Sequence, residues 1–225
     1  MKISGTLINL IKKYIRVLDS DGVWLEIKKK KMFAYIRDVS HVSLCVLKTK
    51  TEERDGKYWF SKDNILGLPD LKDDYTLFIK DFEYTWKGGD FVYTYHQVHD
   101  SPDLYISNYS FLNKKYILRD IGKNLQVLFK KEMKDDNDTL RIEQKSKKLV
   151  IFLQNKKRMI GFSVKSRLKP FYNRYNLDYV KALIKPISKC NLQIGVIKGY
   201  PLKLVSCVKD IEIEGYVAPR IVYQE

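Results

Sequence analysis

The chain has 225 residues, enough for one large domain or two of roughly 110, and its 44% hydrophobic content excludes general disorder. Its 42 Lys and Arg against 27 Asp and Glu leave a net charge of +15, which favours a polyanionic partner, either nucleic acid or an acidic membrane surface. No apolar run reaches the roughly 18 residues of a membrane helix, residues 1–10 lack a signal-peptide pattern, and three widely spaced cysteines (Cys45, Cys190, Cys207) argue for a reducing compartment, so a secreted, membrane-spanning or metal-ribbon protein is not expected.

Residues 7–18 have a helical period that places Leu7, Leu10, Ile11, Tyr14, Ile15 and Leu18 on one face. Asn9, Lys12, Lys13 and Arg16, at i, i+3, i+4 and i+7, form the opposite stripe. Residues 23–37 then alternate as a strand–turn–strand unit, the signal of half-buried strands. Residues 61–72 contain Gly67 and Pro69, which leaves room for one or two helical turns at most. A second hairpin unit spans 75–98, turning at Lys87-Gly88-Gly89-Asp90.

The second half repeats the order. A helix is predicted over 122–134, with Leu125, Leu128, Phe129 and Met133 on one face, and a hairpin over 139–153. Another helix is predicted over 173–185 with Leu177, Val180, Leu183 and Ile184 inward, ended by Pro186. A fourth hairpin covers 192–208 around Lys198-Gly199-Tyr200-Pro201. The halves meet near 108–115 with no Pro/Gly/Ser linker, so they are expected to share one continuous sheet. Charge runs at 28–31 and 134–138 read as solvated turns.

The three long helical segments, with the last taken through residue 189, hold eleven basic residues against two acids, Glu132 and Asp178. Their candidates for phosphate contact are Lys12, Lys13, Arg16, Lys123, Lys130, Lys131, Arg174, Lys181 and Lys185. Lys dominates over Arg, which suits diffuse phosphate attraction and binding without sequence preference. A phosphate loop, a dinucleotide fingerprint and a nucleophile elbow are absent. His96 and His99 fall on opposite faces of an alternating strand, so no shared metal is expected there. Nothing positive in the motifs supports an enzyme, but catalytic pairs can be distant in sequence, so the motifs alone leave that class open.

At Asp38-Val39-Ser40-His41-Val42-Ser43-Leu44 the chain resembles a strand of the PCNA-type sliding clamps. Ile3-Ser4-Gly5-Thr6-Leu7 resembles their opening strand and helix start. Residues 177–185 are similar to the last clamp helix, Tyr200-Pro201-Leu202-Lys203-Leu204 to a later strand, and Tyr216-Val217-Ala218-Pro219-Arg220-Ile221 to the terminal one. The resemblance implies an α+β fold of two clamp domains, 1–110 and 111–225, with antiparallel sheets outside and helices lining a central channel. The second helix of the first domain is reduced.

It further implies a homotrimeric ring around double-stranded DNA, a non-enzyme with no catalytic residues, no cofactor and no metal, that tethers DNA polymerase and other replication proteins, acting as a processivity factor inside the cell at sites of replication. His41, Val42 and Leu44 would floor a client groove walled by Pro201, Tyr216, Ala218, Pro219 and Ile221. Leu104 and Ile106 in one edge strand, and Ile160 and Phe162 in another, would join subunits. The linker near 108–115 is short and carries Lys114 and Lys115, where the family has a longer acidic and apolar one. Alternatives are a monomeric clamp-like processivity or transcription factor and a small basic nucleic-acid enzyme.

Overall fold

The computed structural model describes residues 1–71, 73–80, 83–96, 117–118, 124, 128, 139–154, 159–167, 169–187 and 190–220. The first strand, β1 (Lys2–Ile3), leads into helix α1 (Gly5–Leu18), which Ser4 caps by accepting the Leu7 N–H. Strands β2 (Gly22–Lys28), β3 (Lys31–Arg37), β4 (Ser43–Lys50) and β5 (Gly56–Ser61) follow. Helix α2 (Lys62–Leu66) is five residues long, as the Gly and Pro signals required. Three strands complete the described part of this half: β6 (Tyr75–Lys80), β7 (Glu83–Gly88) and β8 (Phe91–His96).

The remainder adds β9 (Ile117–Leu118), β10 (Thr139–Lys145), β11 (Lys148–Gln154), β12 (Met159–Lys165) and β13 (Phe171–Asn176). Helix α3 (Leu177–Ile184) passes into a 3-10 turn (Lys185–Ile187), and β14 (Gln193–Gly195), β15 (Leu202–Val208) and β16 (Ile211–Val217) end the described elements. The helix predicted over 122–134 lies outside the described residues except for Asn124 and Leu128, which are helical. The domain boundary expected at 110/111 and the basic linker also lie outside them.

Among the described residues the strands form three antiparallel sheets. Two have four strands, in the orders β1-β6-β7-β8 and β12-β11-β10-β13. The third runs β5-β2-β3-β4-β16-β15-β14-β9 and is continuous across both halves of the chain, as expected. Its junction is the pairing of β4 with β16, from Ser43↔Val217 to Lys48↔Glu212. Alternation sorts its side chains. Leu25, Ala34, Leu47 and Ile213 form one row toward the helices, and Trp24, Tyr35, Val46 and Glu214 form a row on the opposite, outer face.

Helices α1 and α3 pack side by side on the inner face, where the Tyr14 hydroxyl donates to Leu183 O at 3.1 Å. Gly215 permits the close approach, since a Cβ there would lie 3.1 Å from Leu183 Cδ1. Under the first four-stranded sheet, Phe60 and Tyr75 meet Trp86 edge to face at 5.3 and 6.0 Å.

One boundary is corrected. Residues 173–176 are strand, not helix, because Phe171, Asn173 and Tyr175 alternate inward with period two. The helix starts only at Leu177, where the Asn176 side chain accepts the Asp178 N–H at 2.9 Å. Leu183 is fully enclosed between α1 and β16, so Leu183→Ala is expected to lower unfolding stability by about 3 kcal/mol, read from the urea midpoint.

Candidate functional site

Two surfaces collect the candidate residues. The first is the exposed flank of the paired helices. Lys13 and Arg16 are exposed on α1, Lys185 is exposed at the end of α3, and Lys181 is half-buried one turn before it. Lys209 joins them from the β15–β16 turn, its Nζ donating to Thr6 Oγ1 at 3.2 Å. Sequence periodicity missed it because it lies in a hairpin turn, 203 residues along the chain from Thr6. The one available signal was the Lys209-Asp210 pair between two alternating runs.

Two expected members leave this surface. Lys12 is only 2% exposed. Its ammonium donates to Pro69 O at 3.1 Å, to Asp70 Oδ1 at 2.8 Å and to Leu68 O. The physical reason is the brevity of α2: it stops at Leu66, and the chain folds back over the α1 flank, where Asn9 Nδ2 also binds Leu71 O. The Lys12 ammonium, by hydrogen bond and charge, holds the Asp70 carboxyl below its ordinary value. The second departure is Arg174, which stands on strand β13 on the outer face of its sheet rather than on a helix. Lys123, Lys130 and Lys131 lie outside the described residues.

The second surface is the corner where β3, β4, β16 and β15 meet on the outer face. Asp38 builds its entrance. The buried carboxylate accepts from Ser40 N–H and Ser43 Oγ, each at 3.0 Å, and from Ser43 N–H. This folds 38–43 into a turn in which His41 adopts φ 58° and is exposed. Ala218 N–H donates to Val42 O at 2.8 Å, Leu44 stands opposite Tyr216, and Pro201 precedes Leu202, the partner of Val217. Pro219 bridges Tyr175.

The structure thus gathers His41, Val42, Leu44, Pro201, Tyr216, Ala218 and Pro219 at one corner; Ile221 lies outside the described residues. Leu44, Val46 and Tyr216 form an apolar cluster separate from the main core, with Phe33, Tyr35 and Ile197 against it, while Val42 packs on the main core. Val39 and Tyr200, both large, apolar and exposed, adjoin the corner and were not singled out by sequence.

A buried carboxylate fixes Tyr216. Glu214 accepts from the Tyr216 hydroxyl at 2.6 Å and pairs with Lys203 at 2.5 Å and Lys48 at 2.7 Å. Burial alone would raise its pKa, but the hydrogen bonds from Lys203, Lys48 and Tyr216 outweigh it and hold the carboxyl at about 2.

Among solved structures, the one described as the C-terminal region of FEN-1 bound to A. fulgidus PCNA superposes with a TM-score of 0.71 at 16% identity, covering 99% of this chain and 98% of that one. The chain has the PCNA clamp fold. A PCNA2–PCNA3 complex from Sulfolobus tokodaii gives 0.68 at 15% identity over 97% and 98% of the two chains. PCNA from Entamoeba histolytica gives 0.65 at 12% over 95% and 96%. No protein-family model and no curated protein matches the sequence. The two surfaces therefore sit on a clamp fold, the basic one on its helices and the apolar one on its outer sheet.

The contrast between Lys12 and its neighbours is measurable. Lys12→Ala leaves the Leu68 and Pro69 carbonyls without their donor and is expected to cost about 2 kcal/mol of stability, whereas Lys13→Ala and Arg16→Ala should stay within ~0.5 kcal/mol in the same denaturant titration.

Glu214 makes a pH-dependent contribution. Its folded pKa lies below its ordinary 4.5, so the stabilisation is full above about 4.5 and is lost as pH falls toward 2. Glu214→Gln should cost about 3 kcal/mol at neutral pH by leaving Lys203 buried without its counter-charge. Thermal melts from pH 6 to pH 2 should then show a shallower acid dependence than wild type.

Proposed function

We propose that this protein is a DNA sliding clamp: a closed ring, most simply of three copies, that encircles duplex DNA and tethers replication proteins. The observation that carries the reading is the placement of Lys13, Arg16, Lys181, Lys185 and Lys209 along the exposed flank of α1 and α3, on a fold that spans the full length of PCNA chains. Lysines on a rigid pair of helices neutralise phosphates without reading bases, which is what a moving ring requires. Each phosphate contact is weak and replaceable, so the protein can slide while remaining bound.

Ring closure needs two sheet edges, and among the described residues β12 is the proposed one. Strand β12 ends one four-stranded sheet, with Ile160 and Phe162 half-buried toward the core. The expected counterpart, with Leu104 and Ile106, lies outside the described residues; among those described, β8 is the edge of the other sheet, carrying Phe91, Tyr93 and Tyr95 toward the core. Pairing the expected segment of Leu104 and Ile106 in one copy with β12 of the next would join the two sheets edge to edge. The PCNA2–PCNA3 complex supports assembly between such chains. The PCNA bound by the C-terminal region of FEN-1 supports capture of partner proteins, for which the corner of His41, Val42, Leu44, Pro201, Tyr216, Ala218 and Pro219 is the proposed seat.

Light scattering should give three times 26.6 kDa, and Ile160→Pro should reduce it to the monomer mass with helicity unchanged. Lys181→Ala combined with Lys185→Ala should leave the mass intact, weaken duplex DNA binding, and flatten the log–log salt slope by about 0.9 for each phosphate no longer neutralised. A wild-type monomer would favour the monomeric clamp-like factor. An unchanged salt slope in the double variant would remove the helices from the DNA-binding role.

A further inference from the structure

The outer face of the β12-β11-β10-β13 sheet carries positive charge that its own side chains leave uncompensated. Arg141 on β10 and Arg174 on β13 stand directly opposite each other in register. Like charges so placed destabilise a sheet. Aromatic rings hold them there: the Arg141 guanidinium carbon lies 4.6 Å from the Tyr172 ring centroid and 5.0 Å from that of Phe152, and that of Arg174 lies 5.4 Å from Tyr172. Arg141 donates one hydrogen bond to Gln154 Oε1, and Arg174 Nε donates to the Tyr172 hydroxyl.

Among the described residues, much of their donor capacity is unused. Arg141 Nε is buried with no acceptor, and no carboxylate there pairs with either guanidinium. Glu143, on the same face, is taken by Lys145 at 3.1 Å. Beside Arg141 an open groove of about 660 Å³ runs over β11 toward the sheet edge. Val150 and Phe152 form its apolar floor, and Met159, 64% exposed, forms its rim. Gly161 belongs to its design, because a Cβ there would collide with Phe152 Cβ and Ile151 O.

We propose that this groove docks an extended acidic peptide segment of a partner protein. Its carboxylates would meet the N–H edges of Arg141 and Arg174, and one of its apolar side chains would lie on Val150, Phe152 and Met159. The guanidinium fork matches a carboxylate in two-point hydrogen bonding. One observation favours a peptide over nucleic acid: the ring faces that would stack a base are already occupied by arginine. The site is separate from both the helix flank and the apolar corner, and a monomer would carry it as well as a ring.

The test uses the full chain and a fluorescein-labelled peptide, Glu-Asp-Leu-Glu-Phe-Asp, read by anisotropy. Wild type should bind it and ignore the peptide with Gln and Asn in place of Glu and Asp. Arg141→Gln with Arg174→Gln should weaken binding at least ~10-fold. Met159→Glu, which alters only the exposed rim, should weaken it as well while leaving duplex DNA affinity unchanged, and it decides the matter if the double variant does not fold. Equal binding of the amide peptide, or wild-type affinity in Met159→Glu, overturns the proposal. Loss of oligonucleotide binding in the groove variants, with the acidic peptide unaffected, overturns it in favour of a nucleic-acid surface.

Discussion

The pairing of β4 with β16 is the constraint on which the rest depends. It makes one sheet of both halves, with Lys48 reaching Glu212 across a separation of 164 residues. The period-two rule makes its register stringent. A slip by one residue would turn Glu214 toward the helices and Leu47 or Ile213 outward. Both faces impose demands: the inner one needs Gly215 beneath Leu183, and the outer one needs Leu44 beside Tyr216. Few seams are specified twice over. A chain closure of this length carries an entropy cost that grows only slowly with length, so the seam can be long in sequence and still hold.

The two faces of that sheet treat the same residue type differently. Outside, Lys57, Lys48 and Lys203 are matched by Glu26, Glu212 and Glu214, and Tyr35 and Tyr216 donate to the same acids. On the helix side, Lys13, Arg16, Lys181 and Lys185 have no ion-pair partner among the described residues. A net charge of +15 is therefore unevenly available. Paired cations act within the fold, and unpaired ones are open to an external polyanion.

Much of this was legible in the sequence. The apolar face of α1, the hairpins and the weak second helix followed from periodicity and from Gly67 and Pro69. Where period alone ruled, it also misled: the stretch from Phe171 to Asn176 fits a strand, and its neighbour from Leu177 a helix, and a window spanning both reads as helical. Lys12 could not be placed from its own segment, because the carbonyls that bury it belong to Leu68 and Pro69. Glu214 was equally hidden, since alternating Lys and Glu on paired strands resembles a solvated face until a tyrosine and two ammoniums close around it. The resemblance at Asp38-Val39-Ser40-His41 carried further than composition, because that motif is a turn whose carboxylate has a fixed set of donors.

The unequal burial of the free cysteines has a practical consequence. Cys45 is fully buried beside Tyr14, and that burial pushes its thiol well above the ordinary value, so it is a poor nucleophile. Cys207 is exposed, in the row of Glu212 and Lys48 on the outer face. The wild-type chain thus carries its own attachment point for a thiol-reactive dye, on the side of the sheet remote from the helices. A fluorophore coupled there would leave the basic flank of the helices unmodified.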